Sequence, residues 1–271
     1  MSNFKLEKII KIFKRYLKIW WFMSKNSFLS YLMHKVGISF LLLGKMLRFI
    51  LFLAFIFFLL KGTEKLAGYG LNQTIFFFLT FNLIDTVTQF FFRGVYRFRP
   101  LIVTGNFDLV LVKPVNALFR SLLGEADVLD LITIPPLLGA VIYVGTLLQP
   151  SSGQIFLYIL LIINGLVLAT AFHIAVISMG IVTLEIDHTI MIYRDLTNLG
   201  RLPVDIYRQP LRGVLTYFIP VGVMITLPAK ALMGFVTPFG VIVSFAIAAF
   251  AVFASLNLWN FALKRYASAS S

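Results

Sequence analysis

With 271 residues, 59% of them hydrophobic and only 13% charged, and a mean hydropathy of +0.92, the sequence excludes a soluble domain, where about a quarter of residues are charged. A net charge of +13 would suggest nucleic acid in a soluble protein. Here the cations gather at the termini and in one loop, as on the cytoplasmic side of a multi-span membrane protein, so no nucleic-acid partner is expected. No cysteine is present, which rules out disulfides, thiol catalysis and cysteine metal sites.

Residues 4–22 carry Leu6, Ile9, Ile10, Phe13, Leu17 and Trp20 at helical spacing. Lys8, Lys11, Lys14, Arg15 and Lys18 fill the rest of the circumference. The pattern predicts a basic amphipathic helix lying on the inner leaflet, with Trp20 and Trp21 at headgroup level. No cleavable signal peptide is expected, because the charges run on and no short apolar stretch with a small-residue cleavage site follows. Residues 1–36 are thus a surface segment and 37–271 a transmembrane domain.

The first span is predicted at 38–60, with Lys45 and Arg48 snorkelling from its inner half. The second, 71–92, bears a polar stripe: Asn82, Asp85, Thr86 and Gln89 share one helical face. Such a stripe either lines a substrate route or joins helices by hydrogen bonds. The second alternative is favoured, because Asp85 lies toward the cytosolic end of the span.

Between the second and third spans lies a basic loop, 93–125, with Arg93, Arg97, Arg99, Lys113 and Arg120. Within it Gly105 and Pro114 bracket the apolar-rich stretch Phe107 to Val112, too short to span. It is either a short amphipathic element, lying against the bilayer or docked on a partner, or a basic linker adhering to lipid headgroups. The third span, 126–148, opens with Asp127 and Asp130, favourable at a helix amino end, and Pro135 and Pro136 should kink it. The fourth, 155–183, includes Asn164, Thr170 and His173. A lone intramembrane histidine is commonly a packing residue, and neither His34 nor His188 completes a metal site with it.

Two readings compete for the fifth span. Hydropathy places it at 213–235, because Glu185, Asp187, Arg194 and Asp195 make 185–201 a poor span. The last span, 238–262, is followed by Lys264 and Arg265, which place the carboxyl end inside. Either way about six spans are expected, with both termini cytosolic.

The stretch GNFDLVLVKPVNALF, with Gly105, Asp108, Leu111, Lys113, Pro114, Asn116 and Phe119, resembles the loop before the third span of ABC-2 type transporter permeases. A second stretch, 203–234, resembles that family's proline-punctuated region through Pro203, Tyr207, Leu211, Arg212, Pro220, Pro228 and Gly234. The resemblance implies an all-α membrane protein whose fifth span is 185–201, followed by short re-entrant helices before the last span. This is the preferred reading, although it puts Arg201, Arg208 and Arg212 outside.

The resemblance further implies a bacterial exporter subunit in the cell membrane. Two permease chains, identical or related, would pair with two cytosolic ATPase subunits and move amphipathic drugs, peptides or lipid-like molecules outward by alternating access. Residues Phe107, Asp108, Leu109, Lys113, Pro114, Asn116 and Phe119 would form the element coupled to the ATPase, with Phe107, Leu109 and Phe119 as apolar contacts and Asp108 and Lys113 as charged ones. Asn82, Asp85, Gln89 and His173 are the candidates for the substrate path.

No phosphate-binding loop is present, since Gly44-Lys45 is followed by Met46 rather than Ser or Thr, and no HExxH or GxSxG motif occurs. The chain is expected to hold no cofactor and catalyse nothing itself, with ATP bound by the partner. A gradient-driven secondary transporter is the alternative, weakened by the absence of an internal repeat.

Overall fold

The computed structural model describes residues 2–32 and 35–267. His34 and the side chains of Leu6 and Lys8 lie outside the described residues. Among these residues the chain is all helical, apart from a single bridge between Leu66 and Tyr69 that closes a turn. The long helices are α1 (Ser2–Leu32), α2 (Lys35–Thr63), α3 (Leu71–Phe92), α7 (Val128–Leu147), α8 (Ser152–Thr183) and α12 (Pro238–Arg265). Shorter ones are α4 (Arg99–Val103), α5 (Phe107–Leu111), α6 (Ala117–Leu123), α9 (Ile186–Asn198), α10 (Leu211–Gly213) and α11 (Leu227–Leu232).

Among the described residues five helical stretches are long and apolar enough to cross a membrane, and a sixth would be the bent pair Leu211–Phe218 and Gly222–Leu232. Local chemistry sets several boundaries. The Asp127 carboxylate accepts from the Leu129 amide at 2.8 Å and starts α7. Ser151 and Gln154 form a reciprocal capping box at the start of α8. Pro135 and Pro136 both lie within the single helix α7.

One end of the bundle carries the basic region 93–125 and is called the basic end. Its core packs Phe92, Val95, Phe98, Phe107, Ile181, Ile186 and Trp259 together. At the opposite end the turns before α3 and before α12 meet, with the Tyr69 and Phe235 rings 6.1 Å apart. The central layer joins Phe81 and Ile84 of α3, Leu168 of α8, Ala248 of α12 and Val223 to Ile225.

The fifth crossing follows neither expectation fully. Helix α9 leaves the basic end at Ile186. Its 13 residues rise only about 20 Å, short of the roughly 30 Å hydrocarbon layer. By Arg201 the chain has reached the middle of the bundle, where the guanidinium lies over the Phe52 and Phe81 rings at 5.8 and 5.7 Å. Asp205 then reaches the opposite end, where it accepts from the Tyr69 hydroxyl at 3.1 Å. The crossing at 185–201 must therefore be extended to Asp205, its second half irregular. Buried backbone groups there require partners, and two are supplied: Thr226 Oγ1 accepts from the Val204 amide, and the Tyr207 hydroxyl donates to the Leu199 carbonyl.

The proline-rich segment that follows enters and leaves at one end. Its two arms, bent by 75°, dip to Pro220 and return. Arg212 of the first arm and Lys230 of the second both pair with Asp205, so both arms are anchored at the end opposite the basic one. This agrees with the re-entrant expectation and removes 213–235 as a straight span. Burial next to that carboxylate holds the Tyr69 hydroxyl well above its ordinary pKa. The inner turn of the dip lies against Gly165 of α8, where a Cβ would come within 2.5 Å of the Met224 carbonyl oxygen. Glycine is what permits that approach.

Candidate functional site

Two regions carry the polar chemistry. The first is the basic loop, three of whose arginines are paired with acids, two of them outside it. Arg93 pairs with Asp127 at 3.2 Å, Arg97 with Glu125 at 2.8 Å and Arg99 with Asp187 at 3.2 Å. The loop is therefore folded as α4 to α6 and held to α7 and α9, rather than free to spread on lipid headgroups.

Within it, α5 has two faces. Phe107 is fully buried, edge-on to Phe98 and Tyr266 at 5.2 and 5.1 Å. It anchors α5 and offers no surface, which corrects its expected role as an apolar contact for a partner. On the other face Leu109 is 56% exposed and Val112 78%. Lys113, Pro114 and Asn116 are exposed, and Asp108 is half-buried with a partner of its own. Gly105, at φ +72°, makes the turn that leads into α5. Asn116 caps α6 by accepting from the Phe119 amide at 3.0 Å.

Helix α1 is docked on this region. Arg15 donates to the Pro114 carbonyl at 2.9 Å, and the Tyr16 hydroxyl accepts from the Asn116 amide at 3.2 Å. The Tyr16 ring meets Phe119 edge-on at 4.7 Å, so Phe119 is already engaged within the chain. Arg15 and Tyr16 look like ordinary members of an amphipathic helix, and no local signal marks them as loop partners. Farther along, Ile9, Phe13 and Leu17 are exposed, as a lipid-facing stripe requires, and Trp20 packs against Phe90 and Phe91.

The second region is a cavity of about 320 Å³ between α2, α3, α7 and the link after α9. Lys45, Arg48, Asn82, Asp85, Thr86 and Arg201 supply its polar wall, and Phe49, Phe52, Phe78 and Phe81 much of its apolar wall. Lys45 does not snorkel outward. Its ammonium turns inward to pair with Asp130 of α7 and lies 3.4 Å from Thr133 Oγ1.

The polar stripe of α3 is not the interhelical glue that its composition favoured. Asn82 Nδ2 donates to the Phe78 carbonyl of its own helix at 2.7 Å. Gln89 Nε2 donates to Asp85 Oδ2, also at 2.7 Å. Asn82, Asp85 and Thr86 thus face the cavity, with Gln89 holding Asp85 from one turn below. His173 sits elsewhere, buried among Phe92, Tyr96 and Tyr193, with Nδ1 donating to the Ala169 carbonyl at 2.8 Å. It does not line the cavity.

An all-helical bundle with five or six stretches long and apolar enough to cross a bilayer defines a multi-pass membrane protein. A family model described as ABC-2 family transporter protein matches residues 45–270. The chain belongs to the ABC-2 transporter family and is a multi-pass permease component of an ABC transporter. No curated protein and no solved structure matches it.

Proposed function

We propose that this chain is the membrane half of an ATP-driven exporter in the bacterial cell membrane, working with a separate cytosolic ATPase and a second permease chain, identical or related. ATP binds to the ATPase. Its closure pushes α5, and the bundle alternates between inward- and outward-open forms, carrying an amphipathic or lipid-like cargo outward. The observation that carries this reading is the construction of α5. It has an apolar exposed face, Leu109 and Val112, on an element rooted by Phe107 in a core shared with α8 and α12. A push on such an element moves the helices it is rooted in, whereas a loose linker would absorb it. The basic end faces the cytosol in this reading, in keeping with its arginines.

Two measurements test it. In vesicles reconstituted with the co-purified ATPase, efflux should require ATP, and the chain alone should carry nothing. Cargo movement by the chain alone would favour a gradient-driven carrier. Sidedness is read separately: Arg208→Cys should react with a membrane-impermeant maleimide added outside intact cells, because Arg208 is exposed at the Asp205 end. Labelling only after permeabilisation would invert the topology.

A further inference from the structure

We propose that the cavity between α2, α3 and α7 receives an anionic head group, a phosphate or carboxylate, borne on an apolar chain. The inference deepens the transport reading and rests on it, by naming the charge of the cargo.

The argument begins with charge. Lys45, Arg48 and Arg201 line the cavity, and Asp85 is its one lining carboxylate among the described residues. Lys45 is taken up by Asp130 on α7, and Asp85 accepts from Gln89. Neither Arg48 nor Arg201 makes an ion pair or a side-chain hydrogen bond among the described residues. Lys45, Arg48 and Arg201 against Asp85 and Asp130 leave one positive charge unanswered. A cation at membrane depth calls for a counter-charge. Arg201 is partly compensated by the Phe52 and Phe81 rings, whose centroids lie 5.8 and 5.7 Å from its guanidinium carbon. A guanidinium edge matches the two oxygens of a phosphate or carboxylate.

The rest of the lining sets the second requirement. Phe49, Ile50, Phe52, Phe78, Phe81 and Leu137 surround these groups, so a bare, fully hydrated anion would lose water without gaining apolar contact. An amphiphile satisfies both walls. The size, about 320 Å³, suits a head group and the start of a chain.

The test is direct binding to the purified chain in phosphatidylcholine nanodiscs, with radiolabelled oleoyl lysophosphatidic acid as probe. Oleoyl lysophosphatidylcholine and inorganic phosphate are the comparison ligands. The acid should bind at least about tenfold tighter than the zwitterion, the worth of one charged hydrogen-bonded contact. Millimolar phosphate should not displace it. Arg48→Gln with Arg201→Gln should abolish the preference, and the Arg48→Lys with Arg201→Lys pair, monodisperse on size exclusion, should retain it. Asp85→Asn, which keeps an acceptor for Gln89, should tighten binding several-fold. Equal binding of acid and zwitterion, or a preference that survives the glutamine pair, would overturn the proposal. Displacement by phosphate would also overturn it, by assigning the site to a free anion. No ATPase takes part, so a negative result removes the anionic cargo and leaves the coupling reading standing.

Discussion

Lys45→Met should lower the stability of the purified chain by about 3 kcal/mol, measured as a fall in its unfolding midpoint in detergent. The reason is what remains after the ammonium is gone. Asp130 has a side-chain exposure of 3%, and its ion-pair partner is Lys45. An unpaired buried carboxylate costs far more than the pair contributes, and the partial exposure of Lys45, 28%, sets the estimate at the lower end of the usual range. Replacing both partners, Lys45→Met with Asp130→Leu, should restore most of the loss, because the double change leaves no orphaned charge. If the double variant is as unstable as the single one, the pair is not what holds α2 to α7. The effect should also be local. Helix α2 is otherwise held mainly by Ile56 and Leu60 against Phe78 and by the Phe52–Phe78 stack at 4.5 Å. Loss of the ion pair frees the basic half of α2, the wall of the cavity.

That pair shows where the sequence was readable and where it was not. Long apolar runs locate their own spans, because 20 or more residues without charge have few other places to go. The second span coincides with α3, and the first, third, fourth and last shift by only a few residues. Charges within spans are harder. Lys45 and Arg48 read as snorkelling, and Lys45 turns inward instead because an acid from a distant segment waits inside. Asp130 lies 85 residues away along the chain. The stripe of α3 was visible as a stripe, but its destination depended on Asn82 and Gln89 bonding within their own helix rather than across to another. Arg201 enters the cavity only because α9 stops short and an irregular segment completes the crossing, and that break leaves no periodic signature. The motif around Asp108 to Phe119 marked the right region. It could not distinguish Phe107, which faces the core, from Leu109, which faces out, because a five-residue helix is too short for periodicity to show.

That distinction yields the sharpest separation of roles. Leu109→Glu with Val112→Glu should leave the chain folded and its cavity intact, because both side chains already face outward. Association with the ATPase should nonetheless fail. A buried interface anchor is worth about 2 kcal/mol, so each change should weaken binding roughly thirtyfold, and ATP-dependent efflux should fall in step. Phe107→Ala acts at the other end of the same lever. Removing a fully buried ring should cost about 3–5 kcal/mol of stability while leaving the exposed face chemically unchanged. Where that variant still folds, it should bind the ATPase yet transmit poorly, hydrolysing ATP with little efflux, because α5 is no longer rooted against Phe98 and Tyr266. Pull-down, ATPase rate and efflux, measured together, separate the two. If the glutamate pair binds and transports normally, α5 is not the contact. If Phe107→Ala keeps the ratio of efflux to hydrolysis, the motion enters by another route, and the contacts of Arg15 and Tyr16 with the α5–α6 connection become the next place to cut.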